Sequence, residues 1–255
     1  MLIHLKTWVS VLAAAAFVAL SPVASAAELT VYSAGAVKAA LSLLVQDFQK
    51  GSGHRLTVEY APVGTLLRRM VDGQPDVVLL TQDVMPEVEL KGWTVAGSAN
   101  PVGAVGVGVA VQDGHPVPDI STPEALKRSL LTAKSITYVD PEKGTSGKHF
   151  VQVLQRLGIA EEMRGRTTLG DSGYVVEPVA RGDIEIGIQQ ITEILPVAGA
   201  RLVGPLPEPL QKITVYTAAL GAQAHEVAAA QAFLAYLRGG PAKAVFSSKG
   251  FAPVP

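Results

Sequence analysis

The chain has 255 residues, of which 48% are hydrophobic and 17% charged, with a formal net charge of −1. That balance describes a globular protein and offers neither the basic stripe of a nucleic-acid binder nor the charged, apolar-poor composition of a disordered arm. Cysteine is absent, which excludes disulfides, thiol nucleophiles and thiolate metal sites, and the histidines have no metal-ligand spacing, so no metal site is expected.

In chain order, Lys6 precedes an apolar segment from Trp8 to Leu20, and Ala24-Ser25-Ala26 has the small-x-small form of a cleavage site. Residues 1–26 therefore read as a secretory signal peptide, and the remainder as an exported protein, periplasmic or otherwise secreted. No later run is long and apolar enough to span a bilayer. Leu29 to Tyr32 is a strand candidate. After the turn Ser33-Ala34-Gly35, the segment Ala36 to Lys50 carries Val37, Ala40, Leu41, Leu44, Val45 and Phe48 at helical spacing. Gly51-Ser52-Gly53 stops that helix. Arg55 to Tyr60 alternates as a strand, Thr65 to Val71 is helical, and Pro75-Asp76 introduces the apolar strand Val77 to Leu80. Consecutive strand-loop-helix units imply a parallel sheet covered by helices, with ligands expected at the carboxyl ends of the strands.

Val105 to Val111 reads as a long strand able to cross between lobes, after which the pattern repeats. A helix opens at Ser121-Thr122-Pro123-Glu124 and runs to about Ala133. The strand Ser135 to Val139, the loop Asp140 to Gly147 and a helix from Lys148 to Leu157 follow. Gly170-Asp171-Ser172-Gly173 precedes a helical stretch, Tyr174 to Ala180, and the strand Ile184 to Ile188 delivers Gln189 and Gln190. Ile213 to Leu220 is a return strand, and helices from Glu226 to Leu237 and from Pro241 to Lys249 close the chain. The fold class is α/β, with two similar lobes, each a mostly parallel sheet flanked by helices, joined by two crossing strands. The expected division is 27–110 with 214–255 for the first lobe and 111–213 for the second.

The loop Asp140 to His149 is the most informative motif. Gly144 and Gly147 allow close backbone approach, Thr145 and Ser146 offer hydroxyls, and the first N–H groups of the next helix point the same way, an arrangement suited to an anion. The same residues could equally form an ordinary helix N-cap. Similar junctions recur at Ser33, Gly35 and Ala36, at Gly64-Thr65, and at Gly173-Tyr174.

This order resembles the periplasmic molybdate-binding protein family of class II solute-binding proteins. The resemblance rests on Val31-Tyr32-Ser33-Ala34-Gly35-Ala36, Gly64-Thr65-Leu66, Gly73-Gln74-Pro75-Asp76-Val77, the Asp140-Pro141 loop, Gly187-Ile188 and Lys249-Gly250-Phe251. It implies a monomer with a ligand cleft between hinged lobes, delivering its ligand to an ABC permease. It also implies oxyanion-binding serines at the positions of Ala36 and Val63 and a tyrosine at Gln190. All three hydroxyls are missing here, and each unmade charge-assisted bond costs about 1 to 3 kcal/mol.

The polar groups that remain suit a di- or tricarboxylate. Thr145, Ser146 and the Gly147 backbone could hold one carboxylate, and the turns at Ser33 to Ala36 and Gly64-Thr65 another. Gln189 and Gln190 face opposite ways along a strand, so one of them is expected in the cleft. Ser-Ala-Gly-Ala in the first turn, Gly-Thr-Ser-Gly in the second lobe and Gln-Gln after the late strand are similar to bacterial aconitate isomerase, a branch on the same fold. That resemblance implies cofactor-free proton transfer, for which His149 is the first candidate base, with Lys148, Glu177 and Glu193 behind it; the other reading of His149 is a histidine that caps or packs in its helix. A molybdate or tungstate binder with rearranged ligands is the third reading.

Overall fold

The computed structural model describes residues 26–254, so the signal-peptide assignment lies outside the described residues apart from Ala26. The chain begins with β1 (Glu28–Ala34), a 3₁₀ turn (Gly35–Val37) and α1 (Lys38–Ser52). Helix α1 buries Ala40, Leu41, Leu44, Val45 and Phe48 on one face and ends at Gly53, whose φ of 76° only glycine adopts freely. Then come β2 (Arg55–Ala61), α2 (Val63–Arg69), β3 (Val77–Thr81), α3 (Met85–Leu90) and the long β4 (Asn100–Gln112). The second half contains α4 (Pro123–Thr132), β5 (Ile136–Val139), α5 (Thr145–Arg156), α6 (Ala160–Arg164), β6 (Thr167–Gly170), α7 (Glu177–Ala180), β7 (Ile186–Gln190), α8 (Ile191–Ile194) and β8 (Ala200–Pro205). The chain closes with β9 (Ile213–Leu220), α9 (Val227–Arg238) and α10 (Gly240–Ser248).

The strands form a sheet in the order β2-β1-β3-β9-β4-β7-β5-β6, with β8 also pairing β4. β1 pairs β2 and β3 in parallel, and β5 pairs β6 and β7 in parallel. β4 and β9 run antiparallel to their neighbours and hold the centre. The result is the two-lobed α/β architecture of a type II binding protein, with a separate core in each lobe. One core includes Leu41, Leu44, Leu66, Leu79, Phe233 and Phe246. The other includes Leu126, Leu130, Phe150, Val153, Ile186 and Ile188. Each such side chain contributes about 1.5 to 3 kcal/mol on burial.

Two features fix the lobes. Asp76 is buried, and its carboxylate accepts from the N–H of Thr30 at 2.7 Å and of His225 at 2.7 Å, tying β1 to the approach of α9. On β4, Val105 belongs to the first core and Val107 to the second, so the strand changes lobe at Gly106. The side chain of Gln211, on the returning segment, lies against Gly106. Its Oε1 accepts from the Val107 N–H at 2.9 Å and its Nε2 donates to the Val107 carbonyl at 2.8 Å. The two crossing segments are thereby stitched together at the point of crossing.

Several element boundaries differ from the sequence reading. β4 starts at Asn100, because antiparallel pairing with β9 extends it beyond the Gly-Val alternation. α5 starts at Thr145, not Lys148, so the two hydroxyl residues lie inside its first turn. The helical stretch after Gly173 is only α7, and Gln189 and Gln190 are the last residues of β7 itself. β8 has no counterpart among the expected strands; its largely half-buried, Gly- and Pro-containing sequence carries little alternation.

Candidate functional site

A cavity of about 190 Å³ lies between the lobes at the carboxyl ends of β1, β2, β5 and β7. The first lobe lines it with Ala34, Gly35, Ala36, Ala61, Pro62 and Val63, an apolar wall in which the backbone of the 3₁₀ turn supplies the polar groups. The second lobe lines it with Gly144, Thr145, Ser146, Ser172, Gly173 and Gln189. Helix α5 has Gly144 as its N-cap with no side-chain cap, so its first N–H groups have no side-chain acceptor and sit at the cavity wall.

Glu193, in the first turn of α8, joins this wall. Burial raises its carboxyl pKa to about 8, against the opposing pull of its hydrogen bond with Gln189. An N-terminal helix position would favour the carboxylate, but α8 is a single turn and desolvation wins. Gly35 makes the room for this group: a Cβ there would stand 2.8 Å from Glu193 Oε1. Gln189 is buried, and its Nε2 donates to the Gly173 carbonyl at 2.9 Å while its Oε1 has no partner.

Tyr216 of β9 lines the cavity from the crossing segments and is 2% exposed. Burial and, secondarily, the Glu193 charge push its phenol pKa up, with Thr145 and Gln190 as hydrogen-bond neighbours. Its hydroxyl therefore stays neutral and available as a donor. At the mouth, Lys38 Nζ lies 5.8 Å from the ring centroid of Tyr60 in the first lobe and 5.3 Å from that of Tyr174 in the second. Burial raises both phenol pKa values; Tyr60 Oη also contacts Ser42 Oγ at 3.1 Å.

Of the residues singled out in the sequence, Gly35, Ala36, Val63, Gly144, Thr145, Ser146, Gly173, Tyr174, Gln189 and Glu193 line this cavity. Ser33, Gly64, Thr65, Gly147, His149 and Gln190 do not. Ser33 is buried within β1 with its Oγ donating to the Ala34 carbonyl at 3.2 Å. Gly64 donates its N–H to the Lys143 carbonyl at 2.9 Å, a backbone latch between the lobes, and Thr65 Oγ1 accepts from Arg68 Nη2 at 3.2 Å. Gly147 is a packing glycine, since a Cβ would run into the Val139 carbonyl. Gln190 points away from Gln189 and donates to Thr214 Oγ1 at 3.2 Å. His149 lines a different cavity, outside the Gly64–Lys143 latch, and its Nε2 bonds the Leu210 carbonyl at 2.7 Å. Burial lowers its pKa, which keeps it neutral as the tether of α5 to the returning segment.

The sequence reading passed over Lys38, Tyr60, Ser172 and Tyr216 and ranked Glu193 behind His149. Lys38 and Tyr60 were readable as residues at the strand-helix junctions. No periodicity marks Glu193 on its four-residue helix. Among the described residues, no three His, Asp or Glu side chains converge as a metal-ligand set.

Comparison with known proteins gives this geometry a context. The family model described as bacterial extracellular solute-binding protein matches residues 29–252. An aconitate isomerase from Pseudomonas sp. is 30% identical over 89% of this chain and 88% of its own length. The molybdate-binding protein of Azotobacter vinelandii is 29% identical over 89% and 91%. The solved periplasmic molybdate-binding protein of that organism superposes with a TM-score of 0.75 at 20% identity, covering 89% of this chain and 99% of its own.

Proposed function

The chain belongs to the bacterial extracellular solute-binding proteins, in the group that contains the molybdate-binding proteins and aconitate isomerase, and from that premise we propose that it is an exported isomerase of a tricarboxylate of the aconitate type. The observation that carries the reading is the place of Glu193, a carboxyl in the wall of the interlobe cavity against Gly35, where burial pushes its pKa up to about 8. A fixed negative charge would repel an anionic ligand. A carboxyl that gives and takes a proton near neutrality suits proton transfer on that ligand instead.

In the proposed reaction the Glu193 carboxylate takes a proton from the methylene carbon of trans-aconitate. The electron pair left behind spreads over the allyl system and the carboxylates at its ends. Protonated Glu193 then returns the proton to the other allylic carbon, the double bond shifts by one position, and the carboxylate is regenerated. No atoms or electrons are gained or lost. The neutral Tyr216 and Tyr174 hydroxyls and the first N–H groups of α5, all from residues that line the cavity, would stabilise the charge on the substrate carboxylates. Gln189 orients the Glu193 carboxyl between the two protonation states.

The cavity wall supports a carboxylate over molybdate, because Ala36 and Val63 line it where the molybdate pattern calls for serine hydroxyls. A transport role with an ABC permease as partner is the second reading, favoured by the family itself. The distinguishing experiment is a proton NMR time course with trans-aconitate in heavy water, with melting curves in molybdate alongside. Conversion to cis-aconitate and no molybdate shift are expected, with deuterium entering the product to the extent that the Glu193 carboxyl exchanges with solvent before it returns the proton. Ligand broadening without conversion would make this a carboxylate-binding transport protein. A large molybdate shift would overturn the carboxylate assignment.

A further inference from the structure

Lys38 is the first residue of α1, a poor place for a cation. The N-terminal end of a helix carries partial positive charge and favours anions, and the first turn of α1 contains no acidic residue to offset it. Among the described residues no carboxylate lies within ion-pair distance of Lys38. Its ammonium instead rests near two tyrosine rings, one from each lobe, and lines the mouth of the cavity. It is also the one cation among the residues lining that cavity. Tyr60 and Tyr174 are neutral phenols, so the rings orient the ammonium without neutralising it.

We infer that Lys38 is the specificity-determining residue of the cleft, its ammonium pairing with one carboxylate of the ligand and so selecting a tricarboxylate over the dicarboxylate lacking that group. The inference rests on the polycarboxylate reading and adds to it the residue that counts the carboxylates. Because Tyr60 and Tyr174 belong to different lobes, the lysine reaches its place between them only when the lobes meet. The carboxylate at the mouth is thus engaged in the closed cleft, over a ligand already held by the second-lobe wall.

The test is calorimetric titration of the wild-type protein, Lys38→Met and Lys38→Arg with two unreactive ligands, tricarballylate and glutarate, which share a chain and differ by one carboxylate. Binding is read independently of turnover. Wild type is expected to favour tricarballylate. Lys38→Met should lose about tenfold or more of that preference while binding glutarate nearly as wild type does, and Lys38→Arg should recover most of it. An unchanged preference in Lys38→Met, or equal losses for both ligands, would overturn the assignment of Lys38 while leaving the polycarboxylate reading standing. Wild type binding neither ligand would sink that reading and this inference with it.

Discussion

The two walls of the cleft differ in chemistry although both are built from strand-to-helix turns. The first-lobe wall is Ala34, Gly35, Ala36, Ala61, Pro62 and Val63, with Lys38 and Tyr60 as its polar side chains, and one of its helix N-termini, at Gly64, is occupied by the latch to Lys143. The second-lobe wall carries Thr145, Ser146, Ser172, Gln189 and Glu193. In the proposed reaction the second lobe supplies the reacting carboxyl and most of the recognising groups, Lys38 adds a cation from the first lobe, and the apolar part of the first-lobe wall shuts over them and removes water. Exclusion of water is what raises the Glu193 pKa, so the apolar wall shapes the chemistry of the polar one.

The largest effect is expected from removing the proposed proton carrier. Glu193→Gln preserves shape but cannot take a proton, and kcat for aconitate conversion should fall by about 10² to 10⁴ while tricarballylate affinity changes little, as steady-state kinetics and calorimetry would report. A parallel loss of binding would assign Glu193 to recognition. Next comes the latch. A Cβ on Gly64 would stand 3.0 Å from the Lys143 carbonyl oxygen and 3.1 Å from that of Glu142, so Gly64→Ala should hold the lobes slightly apart. Ligand affinity should weaken by roughly threefold to tenfold with the melting temperature of the free protein little changed.

The smallest functional effect is expected at His149. His149→Gln should leave turnover near the wild-type level and cost about 1 to 2 kcal/mol of stability in denaturant unfolding, through the lost bond to Leu210. The sign of the pH dependence follows from the lowered pKa. The unfolded chain binds a proton at His149 more readily than the folded one, so the wild type loses stability as pH falls through the ordinary histidine value of 6.5 toward the lower folded value. The variant should lose that part of the acid sensitivity. A large loss of kcat instead would return His149 to the catalytic role that its place in the sequence suggests.

That reversal shows where the sequence was readable. Strand-helix alternation located the lobes, because apolar spacing such as Ala40, Leu41, Leu44 and Phe48 records which face is buried. The turns at Gly35, Thr145, Ser146 and Gly173 converge on one cavity because parallel sheets gather their carboxyl ends. One helical turn, a rise of about 5.4 Å, separates Thr145 at the cavity wall from His149 beyond the latch, a displacement that the order of strands and helices does not record. Tyr216 was missed because alternation along β9 marks two faces without saying which one meets the other lobe. Glu193 depends on tertiary contact with Gly35, and a four-residue helix leaves no pattern for that.

The central claim is that the cleft holds a carboxyl poised to exchange a proton near neutral pH. Its most direct test is a carbon-13 NMR titration of the glutamate side-chain carboxyls of the unliganded protein, with Glu193 assigned by the resonance lost in Glu193→Gln. The account predicts a midpoint of about 8 for that resonance. A midpoint at the ordinary glutamate value of 4.5 would contradict it.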